Sequence, residues 1–220
     1  MIIASQKPLD EIRDTLKAYD KVLIAACGTC VTVCLSGGEK EALELKALLG
    51  LEGDKAYRVV TPERQCDSEF LEAFDEDVKW ADVVLSLACG VGVQYMAERY
   101  EGKPVIPGLN TSFMGTNRDA GYWTEMCQGC GNCVLEKTGG ICPVARCSKS
   151  HFNGPCGGSA NGVCEVDPSI ECAWQLIYDR LKSLNQLDRL YDTIPPRDWR
   201  TSRDGGPRKI RRPDVAIEEV

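Results

Sequence analysis

Thirteen cysteines against a single histidine confine metal chemistry in this 220-residue chain almost wholly to thiolate ligation. Eight of the thiols fall within the 46 residues from Cys127 to Cys172, CQGCGNCVLEKTGGICPVARCSKSHFNGPCGGSANGVCEVDPSIEC. A core built on apolar burial has no use for thiols at that density. So many small, Gly-flanked positions bury little apolar surface, and a covalent or metallic link must hold the stretch together. Its opening run, Cys127, Cys130 and Cys133, has the spacing C-x2-C-x2-C, which wraps three thiolates round one corner of a cluster. Cys142 comes eight residues later and is followed by Pro143. Bacterial ferredoxins use C-x2-C-x2-C-x3-C-P, so an insert at about Glu136 to Gly140 leaves open whether Cys142 closes the first set or joins the next. Cys147, Cys156, Cys164 and Cys172 follow at wide, nearly even intervals that suit a fourth-ligand role or a second centre. Gly154, Gly157, Gly158 and Gly162 fit a backbone that turns tightly and brings amide N–H groups towards sulfur.

Three chemistries compete for this stretch. Iron–sulfur ranks first, because the tripled C-x2-C-x2-C and the Cys-Pro pair are both cluster features. Structural zinc comes next, since C-x2-C pairs also suit Zn(Cys)4 sites. A disulfide framework ranks last: MIIASQKPLDEIRD has no charged leader ahead of an apolar core, so a cytoplasmic chain with reduced thiols is expected. No apolar run approaches the ~20 residues a bilayer needs. The net charge is −7, with 13 basic and 20 acidic residues in positions 1–120 and 13 of each from 121 onward. That acidity argues against nucleic acid as a partner.

The remaining five thiols lie in a stretch patterned as alternating strands and helices. Residues 8–19 place Leu9, Ile12, Leu16 and Tyr19 at helical spacing. Lys21 to Ala26 is a short apolar run of the kind that forms a buried strand. It ends in CGTCVTVC, carrying Cys27, Cys30 and Cys34, and leads to the helix EKEALELKALLG. A strand over Ala56 to Thr61 runs on to Cys66, a helix is expected over Ser68 to Trp80, and a strand over Ala81 to Ala88 runs into Cys89 and the turn Gly90-Val91-Gly92. A fourth strand spans Lys103 to Ile106. The pattern predicts an α/β fold with a Rossmann-like parallel sheet and right-handed crossovers. Segments leaving the C-terminal ends of parallel strands gather on one edge, where such folds put their ligands. Cys27, Cys30, Cys34 and Cys89 are therefore expected to form a centre there, with Cys66 as the spare. GVGVQY lacks the third glycine of a dinucleotide fingerprint, and a tight turn near a metal centre accounts for it better.

After Phe113, MGTNRDAGYW has the character of a link. The expected domains are 1–115, a Rossmann-like unit with its cysteine site at the sheet edge; 116–193, a small cysteine-rich metal-binding unit closed by an amphipathic helix over Ala173 to Leu190; and 194–220, an extended basic, Pro-rich tail. Between 195 and 212 the tail holds seven basic and two acidic residues. It is expected either to be solvated or to lie across a partner. No phosphate loop and no Ser/His/Asp arrangement is present, and His151 reads as an exposed histidine.

The order CGTC, CGNCVLEKTGGICPVARCSK, FNGPCGGSANGVCEV and CAWQLIYDRLKSLNQLD resembles the methylenetetrahydrofolate reductase C-terminal family, over most of positions 20–190. Its members include MetV-type accessory subunits of anaerobes and modules fused to the flavin-bearing reductase. The resemblance implies a subunit without catalytic residues of its own, working in one-carbon metabolism. FMN and folate would belong to a TIM-barrel, MetF-type flavoprotein partner. It implies one to three 4Fe–4S clusters, with zinc at one site as an alternative, and reducing equivalents drawn from a ferredoxin or a flavin/iron–sulfur complex. Cys127, Cys130, Cys133 and Cys142 would make one set and Cys147, Cys156, Cys164 and Cys172 another. A scaffold held by structural zinc and a stand-alone thiol–disulfide redox enzyme are the rival functions.

Overall fold

The structure, a computed structural model, describes residues 1–51, 53–210, 212 and 214. The chain divides into two compact units, Met1–Glu125 and the part from Met126 onward.

The first unit is built on a four-stranded parallel sheet of order β3-β2-β4-β5, with β2 (Lys21–Ala25), β3 (Ala56–Val60), β4 (Val83–Ser86) and β5 (Val105–Pro107). Val22 to Ala25 and all of β4 are buried, as expected of central strands covered on both faces. Alternate side chains serve opposite faces. Val22, Ile24, Val83 and Leu85 pack on one side with Ile12 and Leu16 of α1 (Leu9–Leu16) and with Ala42, Leu45 and Leu49 of α3 (Glu39–Gly50). Leu23, Ala25 and Val84 pack on the other with Leu71, Val78 of α4 (Asp75–Trp80) and Met96 of α5 (Gly90–Arg99). The short α2 (Cys30–Val33) lies between β2 and α3 in the chain.

Several boundaries differ from expectation for local reasons. Helix α1 stops at Leu16 rather than near Tyr19, because the Lys55 ammonium takes the carbonyls of Leu16 (3.2 Å), Lys17 (3.2 Å) and Tyr19 (2.5 Å). The helix expected over 68–80 is broken into two 3-10 turns, Ser68–Phe70 and Glu72–Phe74, followed by α4. The Leu71 carbonyl accepts from the Tyr100 hydroxyl at 3.1 Å. The expected link after Phe113 is instead a hairpin, β6 (Leu109–Asp119) and β7 (Tyr122–Cys127), turning at Gly121 with φ 78°. β1 (Ile2–Gln6), absent from the sequence reading, pairs antiparallel with β6 and completes a second sheet of order β1-β6-β7. These pairings join residues more than a hundred positions apart, which local patterning does not register.

The second unit has a small core of Trp174, Ile177 and Leu181, with Ile141, Cys147, Cys172 and Leu187 packed against it. Its α-helices among the described residues are α6 (Pro143–Arg146) and α7 (Ala173–Ser183), followed by 3-10 turns at Leu187–Tyr191, Trp199–Thr201 and Arg203–Gly205. Helix α7 ends earlier than the apolar stripe implied. Asn185 adopts φ 55°, its N–H bonds the Lys182 carbonyl (3.1 Å), and Gln186 N–H bonds that of Leu181 (2.9 Å), the left-handed stop of a Schellman motif.

The basic tail, expected from composition to be either solvated or laid across a partner, makes contacts with its own unit as far as Arg208. Asn153 brackets Ile194 through both backbone groups, accepting from its N–H at 2.7 Å and donating to its carbonyl at 2.9 Å. Arg197 and Thr201 donate to the Cys130 carbonyl at 3.1 and 3.0 Å, and Arg208 donates to that of Gly129 at 2.6 Å. The Arg197 guanidinium also lies over the rings of Phe152 and Trp199, 5.7 and 5.1 Å from their centroids, a contact that favours a cation on an aromatic face. The expected arm from 211 onward falls outside the described residues, Arg212 and Asp214 excepted.

Gly131 is the tightest point of this contact. It holds φ 81°, and a Cβ there would stand 2.2 Å from the Thr201 carbonyl oxygen. Gly131→Ala should therefore peel the tail away at a cost of about 1–3 kcal/mol, as overpacking does. Hydrogen exchange reads this directly: amides of 197–208 should lose protection in the variant, and unchanged protection there would show that the contact does not hold the tail.

Candidate metal centres

In the second unit, Cys127 leaves the end of β7 into a loop that reverses at Gly129 (φ 61°) and Gly131. Gly129 N–H points at the Cys127 sulfur, 3.3 Å away. Cys130 is half-buried while Cys127 and Cys133 are exposed. The arginine and threonine donors of the tail hold the outward carbonyls of this same loop, leaving its amides free to turn towards sulfur. Cys142 caps α6, with Ala145 N–H donating to its sulfur at 3.4 Å, and Pro143 occupies the first helical position, where its missing N–H costs nothing.

The other four cysteines of this unit lie on one wall. Cys147, Cys156, Cys164 and Cys172 line one small cavity of about 20 Å³. Sequence spacing alone could not bring them there; the folding of 157–172 does. Gly157 (φ 82°) and Gly162 (φ 81°) turn the chain. Cys164 N–H bonds the Ile170 carbonyl and Cys172 N–H that of Gly162, both at 2.8 Å. Lys149 pairs with Glu165, and Arg146 with Glu171 at 3.6 Å, so the wall carries both signs of charge. The Cys164 thiol is held below the ordinary thiol range by the Ser148 hydroxyl, then by backbone amides and by Lys149. That shift favours the thiolate, the ligating form.

Among the described residues no three cysteine, histidine, aspartate or glutamate side chains already close on one ion-sized point. The four thiols share a wall without converging. The thiols are soft donors that fit zinc or iron–sulfur, and the carboxylates of Glu165 and Glu171 line the same wall. A larger cleft of about 520 Å³ lies alongside, walled by Phe152, Trp174, Tyr178, Lys137 and Arg189 among others. No thiol lines it, so donor chemistry, rather than volume, marks the site.

Residues 106–200 match the family model described as methylene-tetrahydrofolate reductase C terminal. That segment belongs to the methylenetetrahydrofolate reductase C-terminal family. The matched stretch takes in all eight cysteines from Cys127 to Cys172 and none of the five before them. No curated protein and no solved structure matches the chain.

At the sheet edge of the first unit, the strand register sets Ala25 beside Val60 and Ser86, so the exits of β2, β3 and β4 lie side by side. Cys27 is buried, with its sulfur 3.9 Å from the Glu63 carbonyl in the loop leaving β3. Cys89 precedes α5, whose Gly90 N–H is held by the Thr111 hydroxyl at 2.8 Å. Cys30 begins α2 and is half-buried. Cys34, expected within this set, turns its thiol to the Ile2 carbonyl at 3.3 Å, and burial first, then Cys30, pushes that thiol up. Cys66, expected to be the spare, is exposed, and its thiol is raised first by desolvation and then by neighbouring Cys89 and Cys27.

Sequence reading also missed Gln65, which is fully buried. Its amide donates to the Ala25 and Ala26 carbonyls at 2.7 and 2.9 Å, while its oxygen accepts from the Ser86 hydroxyl at 2.6 Å. A glutamine in a loop after a strand carries no local mark of such burial. His151 stays exposed, as expected, and it is its carbonyl that the Trp174 indole uses, at 2.8 Å. Among the described residues no helix is long and apolar enough to cross a membrane.

Proposed function

We propose that the chain is an iron–sulfur electron-transfer subunit of a methylenetetrahydrofolate reductase complex in the cytoplasm, of the MetV type. The reading rests on one observation above others: the segment matched to the reductase family is the one whose thiols gather, four of them on a single cavity wall. Cys127, Cys130, Cys133 and Cys142 would hold one centre, and Cys147, Cys156, Cys164 and Cys172 the other. Iron–sulfur ligation supplies one-electron transfer, which a flavin on a MetF-type partner can convert to hydride reduction of a methylene to a methyl group.

This chain's own residues prepare the sulfurs. Gly129 N–H donates to the Cys127 sulfur and Ala145 N–H to that of Cys142, and main-chain donors of this kind would tune a bound centre. Arg197, Thr201 and Arg208 pin the backbone of the C-x2-C-x2-C loop from behind. On this reading the chemistry on folate belongs to the partner. A ferredoxin or a flavin/iron–sulfur complex would donate the electrons.

Anaerobically purified full-length chain should be brown, hold iron and sulfide, and bleach with dithionite; after reduction it should pass electrons to the flavin of a MetF-type reductase. Colourless protein with zinc and no iron would overturn this reading. It would favour a scaffold whose metals are structural.

A further inference from the structure

The cleft of about 520 Å³ in the second unit uses none of that unit's thiols, and all of its walls come from that unit. Its volume lies in the range of small-molecule sites, about 300–1,000 Å³. The walls are held from several sides. The Trp174 indole N–H donates to the His151 carbonyl at 2.8 Å, tying α7 to the residue before Phe152. Asn153 brackets Ile194 through both of its backbone groups. The turn that carries Lys137 is closed by Lys137 N–H on the Val134 carbonyl at 3.0 Å and Gly140 N–H on that of Leu135 at 2.8 Å.

Two kinds of side chain stand out on these walls. Phe152, Trp174 and Tyr178 supply aromatic surface; Trp174 and Tyr178 are four residues apart on α7 and so share one helix face. Lys137 and Arg189 supply positive charge, and they are neighbours. The Arg189 guanidinium donates to the carbonyl of Glu136, the residue before Lys137. Neither cation is paired with a carboxylate among the described residues, whereas Lys149 and Arg146 of the thiol wall are paired with Glu165 and Glu171. Asp192 is the one carboxylate on the cleft wall, so two cations face one anion. Two like charges side by side without a counter-charge favour a ligand group carrying two negative charges, and a guanidinium fork beside an ammonium is a phosphate-binding pair.

We propose that this cleft binds a heteroaromatic phosphate monoester of mononucleotide size, with its ring against Phe152, Trp174 and Tyr178 and its phosphate on Lys137 and Arg189. Trp174 also belongs to the wall of the four-cysteine cavity, which puts the bound ring one side chain away from those thiols.

Equilibrium dialysis of the full-length chain, purified anaerobically, tests this with AMP and FMN as probes and with adenosine, riboflavin and inorganic phosphate as counterparts that each lack one half. AMP or FMN should bind with Kd below about 1 mM and at least about ten-fold more tightly than its counterparts, the scale of one charge-assisted contact. Lys137 is exposed and Tyr178 is 42% exposed, so alanine variants of both should fold, and retained hydrogen-exchange protection of α7 checks that they do. Lys137→Ala should weaken the phosphorylated probe about ten-fold and leave its unphosphorylated counterpart unchanged. Tyr178→Ala should weaken both. Lys182→Ala, at an exposed position of α7 off the cleft wall, should weaken neither. The proposal is overturned if neither AMP nor FMN binds in that range, if adenosine and riboflavin bind as tightly as their phosphates, if inorganic phosphate alone binds as tightly, or if Lys182→Ala costs as much as Lys137→Ala. No arm involves a redox change, so the result is separate from the electron-transfer reading, which the dithionite response decides.

Discussion

Stripping metal from the reduced protein should unfold the second unit and leave the first one standing. The two units are stabilised by different means. The first has two apolar clusters on opposite faces of a sheet, with Leu23, Ile24, Leu85 and Leu87 wholly buried. The second closes on Trp174, Ile177 and Leu181, while its 127–172 segment is held by turns, a few backbone bonds and thiols. A unit of this size with so few buried side chains falls short of the apolar burial needed to offset chain entropy. Metal binding would then be a large part of its folding free energy, about 10–16 kcal/mol for a structural zinc at neutral pH. Exposure to a strong chelator with a thiol reductant should abolish hydrogen-exchange protection across 130–194 and open protease sites between Cys127 and Cys172, with β2 and β4 still protected. A second unit that stays protected without metal would mean that its small core suffices.

Gln65→Leu should have the next largest effect. Leucine fits the volume, yet it removes both amide donors from the Ala25 and Ala26 carbonyls and the acceptor from the Ser86 hydroxyl, all in a fully buried place. The Ala25 carbonyl keeps the Leu87 N–H at 2.8 Å, which limits the loss. With roughly 1–3 kcal/mol for each buried polar group left without a partner, the variant should lose about 3 kcal/mol of first-unit stability. Urea unfolding followed by β-sheet circular dichroism measures it. A midpoint within error of the parent would show that the polar knot is replaceable.

The basic tail teaches caution about reading composition. Seven basic residues with prolines between them resemble a free arm. Three of them act differently: Arg197 and Arg208 donate to carbonyls of the cysteine loop, and Arg200 pairs with Asp198 at 2.7 Å. The docking becomes possible because the loop at Gly129 to Gly131 turns its carbonyls outward, something a charge count cannot register.

Residue types and short spacings already carry the expectation of soft-metal ligation, since thirteen thiols stand against one histidine. The apolar runs of Lys21 to Ala26 and Ala81 to Ala88 likewise determine two central parallel strands, because only burial on both faces accommodates such sequences. These are local properties, and neighbours along the chain carry them. Which thiols stand together is another matter. A buried glutamine, Gln65, ties the loop after β3 to the exits of β2 and β4, Cys34 is drawn off to a strand at the chain's beginning, and four cysteines spread over 147–172 come to one wall through two left-handed glycines. Each of those relations joins residues distant in sequence, and only three-dimensional packing can create it.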